Sequence, residues 1–224
     1  MNEKRSMKEW TARSVILMVG LVIAHLGVTL FLLSDLGSDP FNVLVQGIFR
    51  TLSEKTSWGF LTHGRVHMAI SLLIIFILLL TDRSYVKIGT VLCMVCGGPI
   101  IDFFSMILTP LFANITSMPV RVFVLALGCV ILAYGMTIVI KSDAGTGPND
   151  LVGVVLADKL KKKFSIVRLI VDAVFALAGF LLGGQVGVGT LICVALVGPV
   201  AGFFLPINEK LVAGVLDRTI GKIA

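Results

Sequence analysis

The sequence predicts an all-α membrane protein in which six transmembrane helices form two inverted three-span repeats, each carrying a short broken or re-entrant helix. Three observations favour this fold class: an apolar composition, six long apolar runs and an internal repeat. Apolar side chains make up 57% of the 224 residues, and the mean hydropathy is +1.01. A soluble domain of this length could not bury so much apolar surface, so we expect the bilayer to be its solvent.

The six apolar runs are the candidate transmembrane helices of a single membrane domain, residues 1–224. Each is about long enough to cross ~30 Å of hydrocarbon as a helix, the second and fifth being the shortest. A transmembrane β-strand would alternate apolar and polar residues, whereas the second run reads MAISLLIIFILLL. The runs lie at 15–33, 66–80, 88–109, 120–140, 166–182 and 188–207.

The formal charge of +6 does not indicate a nucleic-acid partner, because the basic residues lie at the ends of the apolar runs. Clusters at 2–14, 81–87 and 158–168, and a C-terminal tail with Lys210, Arg218 and Lys222, are typical of the positively charged cytoplasmic flanks of membrane helices. We therefore expect a multi-pass protein with both termini in the cytoplasm. Its expected partners are the lipid bilayer and a small solute. The sequence leaves open whether the protein forms a homo-oligomer.

Matching segments divide the chain into a first half, about residues 14–112, and a second half, about 120–210. GLVIAHLGVTLFLLSDLGSDPFN at 20–42 matches GCVILAYGMTIVIKSDAGTGPND at 128–150. GTVLCMVCGGPIIDFF at 89–104 matches GTLICVALVGPVAGFF at 189–204. Each half therefore carries a span, a short broken segment and two further spans.

The number of crossings in each half decides how the halves are related. If the short segments dip in and return, each half crosses three times, and the second copy is inverted about an axis in the membrane plane. If they cross, each half has four spans and the copies run parallel. The apolar stretches at 43–49 and 151–157 reach only ~10 Å as helices, which favours re-entrant segments. A short helix in the membrane interface is a variant of this arrangement.

The two broken segments carry the residues that we expect to bind a solute. A glycine can end one helix, and the proline three residues later suits the start of another. The backbone groups freed by such a break must face protein or a water-filled cavity at membrane depth. Breaks at equivalent positions of two halves are typical of a transporter site. The candidates are Asp35, Gly37 and Asn42, and in the second half Asp143, Gly145, Gly147, Asn149 and Asp150.

Two further candidates are charged residues within apolar runs, where a charge is costly and functional by default. Asp102 has Gly202 at its matching position in the second half, so the repeat does not require it. Arg168 is a candidate counter-charge for the acids of the second broken segment. It is also expected to pair with Asp172, one helical turn later.

The sequence gives little support to an enzyme, a metal site or a cofactor. His63 and His67 have a spacing that a metal could use, but no third ligand is evident. No Ser/His/Asp spacing, zinc motif or phosphate-binding loop is present. We predict a protein that is not an enzyme, with no bound metal and no cofactor.

The block GTGPNDLVGVVLADKLKKKFSIVRLIVDAVFALAGFLLGGQVGVGTLICVALVGP at 145–199 resembles the YczE/YyaS/YitT-type bacterial integral membrane proteins. The Gly-x-Gly-Pro-x-Asp turn, the Val-Arg, the Leu-Gly-Gly and the Gly-Thr lie at family spacing. The first half matches less well, with Phe41 where the family often has tryptophan. The resemblance covers nearly the whole chain and implies a bacterial plasma-membrane protein. It supplies no substrate.

The function that these features favour is a small secondary transporter or permease for a small polar or zwitterionic solute. Its site would lie between the two halves, where helix N-termini present N–H groups to an anionic group and the acids bind a cation or coupling proton. The alternative is a non-transporting membrane scaffold or a regulator of a partner protein, in which the repeat is only a folding device.

Overall fold

The computed structural model of the chain describes residues 6–37, 39–55, 61, 63–112 and 117–221. Apart from one 3-10 turn at Arg83–Tyr85, the regular structure in these residues is α-helical, as the sequence predicts. The helices are α1 (Met7–Leu33), α2 (Pro40–Lys55), α3 (His63–Thr81), α4 (Ile88–Phe112), α5 (Met118–Ser142), α6 (Pro148–Leu160), α7 (Phe164–Leu181) and α8 (Val188–Ile220).

Five helices, α1, α4, α5, α7 and α8, are long and apolar enough to cross a membrane. The second predicted span, residues 66–80, falls on α3, whose apolar part, Arg65–Thr81, is shorter. Large apolar side chains such as Phe76, Leu80 and Met106 are exposed on the outer faces of these helices. Such faces suit a lipid environment and would be unfavourable in water.

The last predicted span, 188–207, lies within a longer helix, because α8 continues to Ile220. Val212 and Leu216 are buried against Ile138 of α5, and their four-residue spacing keeps both on one helix face. Lys210 and Arg218 of the predicted C-terminal tail therefore lie in the last turns of a packed helix, and Lys222 lies outside the described residues. Pro199 and Pro206 lie inside this helix without ending it.

The broken segments form the two shortest α-helices of the described chain, α2 with 16 residues and α6 with 13. At 1.5 Å per residue they are ~24 and ~20 Å long, short of the ~30 Å hydrocarbon core. Both begin at the predicted proline, Pro40 or Pro148. Helix α2 continues beyond the apolar stretch 43–49. Its polar end is bonded to the segment that follows α7, where Arg50 donates to the carbonyl of Gly183 at 2.7 Å.

The short helices join the two halves of the molecule. Helix α2, from the first half, packs chiefly on α7 of the second half, and α6 contacts α3 of the first half as well as its own α7. A Cβ on Gly179 of α7 would lie 2.4 Å from the carbonyl carbon of Val43 in α2, so the two backbones touch.

Helices α1 and α5 form the centre of the fold and run antiparallel. Arg13, near the start of α1, donates to the carbonyl of Ser142 at the end of α5 at 3.0 Å. Arg121, near the start of α5, donates to the carbonyl of Ser34 at the end of α1 at 2.7 Å. Four glycines lie along the contact between the two helices: Gly20, Gly27, Gly128 and Gly135.

We predict that Gly135→Ala prevents normal packing of α1 on α5. A Cβ at this position would lie 2.2 Å from the backbone nitrogen of Ala24, and backbone cannot yield as a flexible side chain can. Overpacking of this kind costs ~1–3 kcal/mol or more. The control is Gly214→Ala on α8, whose Cβ would meet nothing within 4 Å. Melting temperature in detergent should fall for the first variant and hold or rise for the second.

Candidate functional site

The two broken segments have the same backbone conformation at their helix breaks. Asp35 and Asp143 are left-handed, with φ of 51° and 56°, and Gly37 and Gly145 follow with φ of 139° and 141°. Side chains rarely adopt the latter values, which explains the glycine at both positions. The predicted helix breaks are present, but the left-handed residues at the ends of α1 and α5 are Asp35 and Asp143, two residues before the glycines.

Each break is tied to the start of a long helix. The carbonyl of Leu36 accepts a hydrogen bond from the amide of Gly189 in α8 at 2.8 Å. In the second half, the carbonyl of Ala144 accepts from the amide of Gly89 in α4 at 2.9 Å. These bonds satisfy backbone groups that the breaks would otherwise leave unpaired.

Asp35 and Asp143 pair with cations at the ends of the α1–α5 pair. The carboxylate of Asp35, 91% exposed, accepts from Arg121 at 2.8 Å. The carboxylate of Asp143, 45% exposed, is bonded to Lys87 and lies 3.8 Å from Arg13. Neither acid lines the cavity described next, so the structure separates Asp143 from Asp150 and Arg168, with which the sequence groups it.

A cavity of about 400 Å³ lies between the halves, and the N-termini of both short helices line it. It is bounded by α1, α3, α4, α5 and α7 as well as by the two helix starts. Of the predicted site residues, it contains Asn42, Gly147, Asn149, Asp150 and Arg168. We call this space the central cavity. Other polar side chains in its lining are His25, Asp39, Ser71 and His67, of which the sequence analysis considered His67 only as a metal ligand.

Among the described residues that line the central cavity, Arg168 is the only arginine, and it connects two acids. Its Nη1 donates to Asp150 at 2.5 Å and its Nε donates to Asp172 at 2.8 Å, which confirms the predicted pair with Asp172. The side chains of Arg168 and Asp172 are 9% and 2% exposed, whereas Asp150, at 20%, keeps access to the cavity. Two carboxylates on one guanidinium leave this triad with a net charge of −1.

The first half has other polar residues at the positions that match this triad. Aligned on Val66 and Val167, helix α3 places His67 and Ser71 where α7 has Arg168 and Asp172, and Asn42 matches Asp150. His67 lies against the ring of Phe41 at the start of α2, with ring centroids 5.2 Å apart. Alignment of α3 with α7 is the sequence signal that would have identified His67 and Ser71.

The starts of the two short helices are capped differently. Asp39 caps α2, since its Oδ1 accepts from the amide of Asn42 at 3.2 Å, and the Asn42 side chain donates to its Oδ2. Gly147 takes the same place in α6 and offers no side-chain cap. The amides at the start of α6 therefore remain less engaged by the protein than those of α2.

Asp102 lies outside this arrangement. It is exposed on α4 and does not line the central cavity. Pro99 and Phe103, on either side of it along the helix, border a separate apolar groove with α1.

The helices and the cavity define an integral, multi-pass membrane protein. The chain belongs to the family described as a family of unknown function, DUF6198, whose model matches residues 11–206.

Three relatives agree with this assignment. The chain is 29% identical over 212 residues to YczE of Bacillus subtilis, described as an uncharacterized membrane protein, with 94% of each chain covered. It is 28% identical to the uncharacterized protein YyaS of the same organism, covering 86% of this chain and 92% of that one. An uncharacterized protein of Haemophilus influenzae is 30% identical, with 90% and 88% covered. The resemblance to YczE/YyaS-type proteins is confirmed, and no solved structure matches the chain.

We predict that Arg168→Met strongly destabilises the fold, because it leaves Asp150 and Asp172 near each other without a counter-charge. Removing one partner of a buried pair costs ~3–5 kcal/mol. The matched control is Lys159→Met, which breaks an exposed contact of 3.9 Å with Asp82. The pKa of Asp82 is lowered mainly by hydrogen bonds from Ser84, so loss of Lys159 should matter little. Equal melting temperatures for the two variants in detergent would contradict the structural role of the triad.

Proposed function

We propose that the protein is a small secondary transporter or permease for a small polar or zwitterionic solute, and that the central cavity is its binding site. One observation carries the proposal: short helices from equivalent positions of the two halves begin at the same cavity. Half-helices that meet at a repeat interface present N–H dipoles to a solute and line a space that lipid does not reach.

The central cavity offers complementary groups for both ends of a zwitterion. The start of α6, with its glycine N-cap and first-turn Asn149, can receive a carboxylate, since the helix dipole favours an anion there. Asp150 is accessible from the cavity and can receive an ammonium group. Arg168 already holds Asp150, so the solute cation would share this carboxylate while Asp172 retains the guanidinium.

Transport also requires that the site open to each side in turn, and an inverted repeat provides two such states. We propose six spans, three in each half, with α2 and α6 as short re-entrant or interfacial helices. The antiparallel contact of α1 with α5 supports this, since these helices are equivalent in the sequence repeat. The two helix breaks support the same topology, because each accepts an equivalent backbone hydrogen bond from the start of α8 or α4. The location that fits this topology is the bacterial plasma membrane, with both termini cytoplasmic.

We predict that Asp150→Asn abolishes solute binding and transport while the protein still folds. The amide keeps the shape and the helix-start preference of the aspartate but removes its charge. Loss of one charge-assisted hydrogen bond, ~1.5–3 kcal/mol, corresponds to about a tenfold or larger loss of affinity. The measurement is uptake of a panel of amino acids and other small zwitterions into proteoliposomes, together with solute-dependent thermal stabilisation.

Asp35→Asn is the matched control for this experiment, because Asp35 occupies the equivalent helix break outside the central cavity. It should transport nearly as the parent does. If Asp143→Asn loses activity while Asp150→Asn keeps it, the solute binds at the end of α5 instead. If no solute of the panel is transported or stabilises the parent, the scaffold or regulator hypothesis replaces transport.

The inverted topology predicts that Ser53 and Ser84 lie on opposite sides of the membrane. Both side chains are exposed, one at the end of α2 and one between α3 and α4. Ser53→Cys should react with a membrane-impermeant maleimide in intact cells, and Ser84→Cys only after permeabilisation. The native cysteines give little background, as Cys93, Cys129 and Cys193 are buried and Cys96 is half-buried. The reverse labelling pattern, or equal labelling, would exclude the topology.

A further inference from the structure

A second cavity, of about 720 Å³, lies where α6 ends and α7 begins, next to the connection between α3 and α4. We call it the end cavity. Its charged lining consists of four lysines and two aspartates, which gives a net charge of +2: Lys87, Lys141, Lys161, Lys162, Asp143 and Asp158. These segments are the ones that the distribution of basic residues places on the cytoplasmic side.

Most charges of the end cavity already have protein partners. Lys87 is bonded to Asp143, and Lys141 donates to Glu209 at 2.7 Å. Asp158 accepts a hydrogen bond from the hydroxyl of Tyr85, and this bond raises the pKa of Tyr85 to about 12. Tyr85 is therefore protonated at neutral pH and can continue to donate.

The excess positive charge comes from Lys161 and Lys162. Both are exposed, and within the described part of the chain neither side chain makes an ion pair or a hydrogen bond. Their backbone is held in place at the end of α6. Lys161 has a left-handed φ of 52°, and the amide of Lys162 donates to the carbonyl of Ala157 at 3.0 Å. The two ammonium groups thus extend from a fixed point at the edge of the cavity.

The remaining wall combines hydroxyl groups with an apolar surface. Ser84 lies in the lining, as does Thr146, which is buried and whose Oγ1 has no hydrogen-bond partner among the described residues. Leu151, Val154 and Phe164 contribute apolar side chains to the same lining. Two free cations, hydroxyl donors and an adjoining apolar wall suit an anionic group carried on an apolar or neutral body.

We propose that the end cavity is a binding site for a phosphate group, held chiefly by Lys161 and Lys162. A phosphate carries one or two negative charges at neutral pH, which matches the net positive charge of the end-cavity lining. It can come from an anionic phospholipid of the cytoplasmic leaflet or from a soluble phosphate compound. Basic pockets between membrane helices on the cytoplasmic side are a known setting for lipid phosphates. The proposal does not depend on the transport function.

The test measures thermal stability of the purified full-length protein with two probes. One arm compares inorganic phosphate with chloride at matched ionic strength in a neutral detergent. The other compares nanodiscs of phosphatidylglycerol mixed with phosphatidylcholine against phosphatidylcholine alone. We expect the melting temperature to rise by about 2–4 °C with at least one probe. Stabilisation by phosphatidylglycerol alone identifies a lipid headgroup, whereas stabilisation by phosphate as well identifies a site open to soluble phosphates.

The rise in melting temperature should be lost in Lys161→Gln/Lys162→Gln. It should be reduced in Lys162→Gln alone, which leaves the left-handed residue Lys161 unchanged. The matched control, Lys8→Gln/Lys210→Gln, removes the same charge from exposed positions outside the end cavity and should keep this rise. An equal loss in the control means diffuse attraction to anions and overturns the site. Absence of stabilisation by both probes in the parent also overturns it.

Discussion

The fold depends on the close contact between α1 and α5. A Cβ on Gly27 would lie 2.3 Å from the backbone nitrogen of Leu132, so the two helices approach to a distance that only glycine permits. In lipid, apolar side chains gain little by contacting one another instead of acyl chains, and tight backbone packing is a main source of helix association. The four glycines therefore act where the hydrophobic effect is weak. They also set the antiparallel register that brings Arg13 and Arg121 to the opposite ends of the pair.

This register determines where the short helices begin. Each break is bonded to the start of α4 or α8, and those helices are in turn packed along α1 and α5. The central cavity lies where the short helices α2 and α6 begin, among the longer helices. Its polar lining is thus a consequence of the breaks: helix starts expose amides, and the surrounding side chains must supply partners or leave room for a solute.

Local signals in the sequence were sufficient for the helical class, the two breaks and the Arg168–Asp172 pair. They were sufficient because each depends on residues within one or two helical turns. Contacts between distant segments were not predictable in the same way. Asp143 and Asp150 are near each other in sequence, but Lys87, 56 residues away, pairs with Asp143 at the end of α5. The sequence did not predict the continuation of α8 because its apolar positions, Val212 and Leu216, lie between the charged pairs Glu209–Lys210 and Asp217–Arg218, which reduce the local hydropathy.

The two halves share a backbone but divide the chemistry unequally. The buried charges of the triad lie on α6 and α7, whereas the equivalent positions in the first half hold Asn42, His67 and Ser71. A second charged triad would add two more acids to a cavity at membrane depth, where each uncompensated charge is costly. The first half adds one acid, Asp39, to the lining but has Asn42, His67 and Ser71 at the positions that match the triad, so it avoids a second cluster of charges and still offers hydrogen bonds. The matching segments of the two halves thus place different side chains around one cavity, with Asp150 and Arg168 on the second-half side and Asp39, Asn42, His67 and Ser71 on the first-half side.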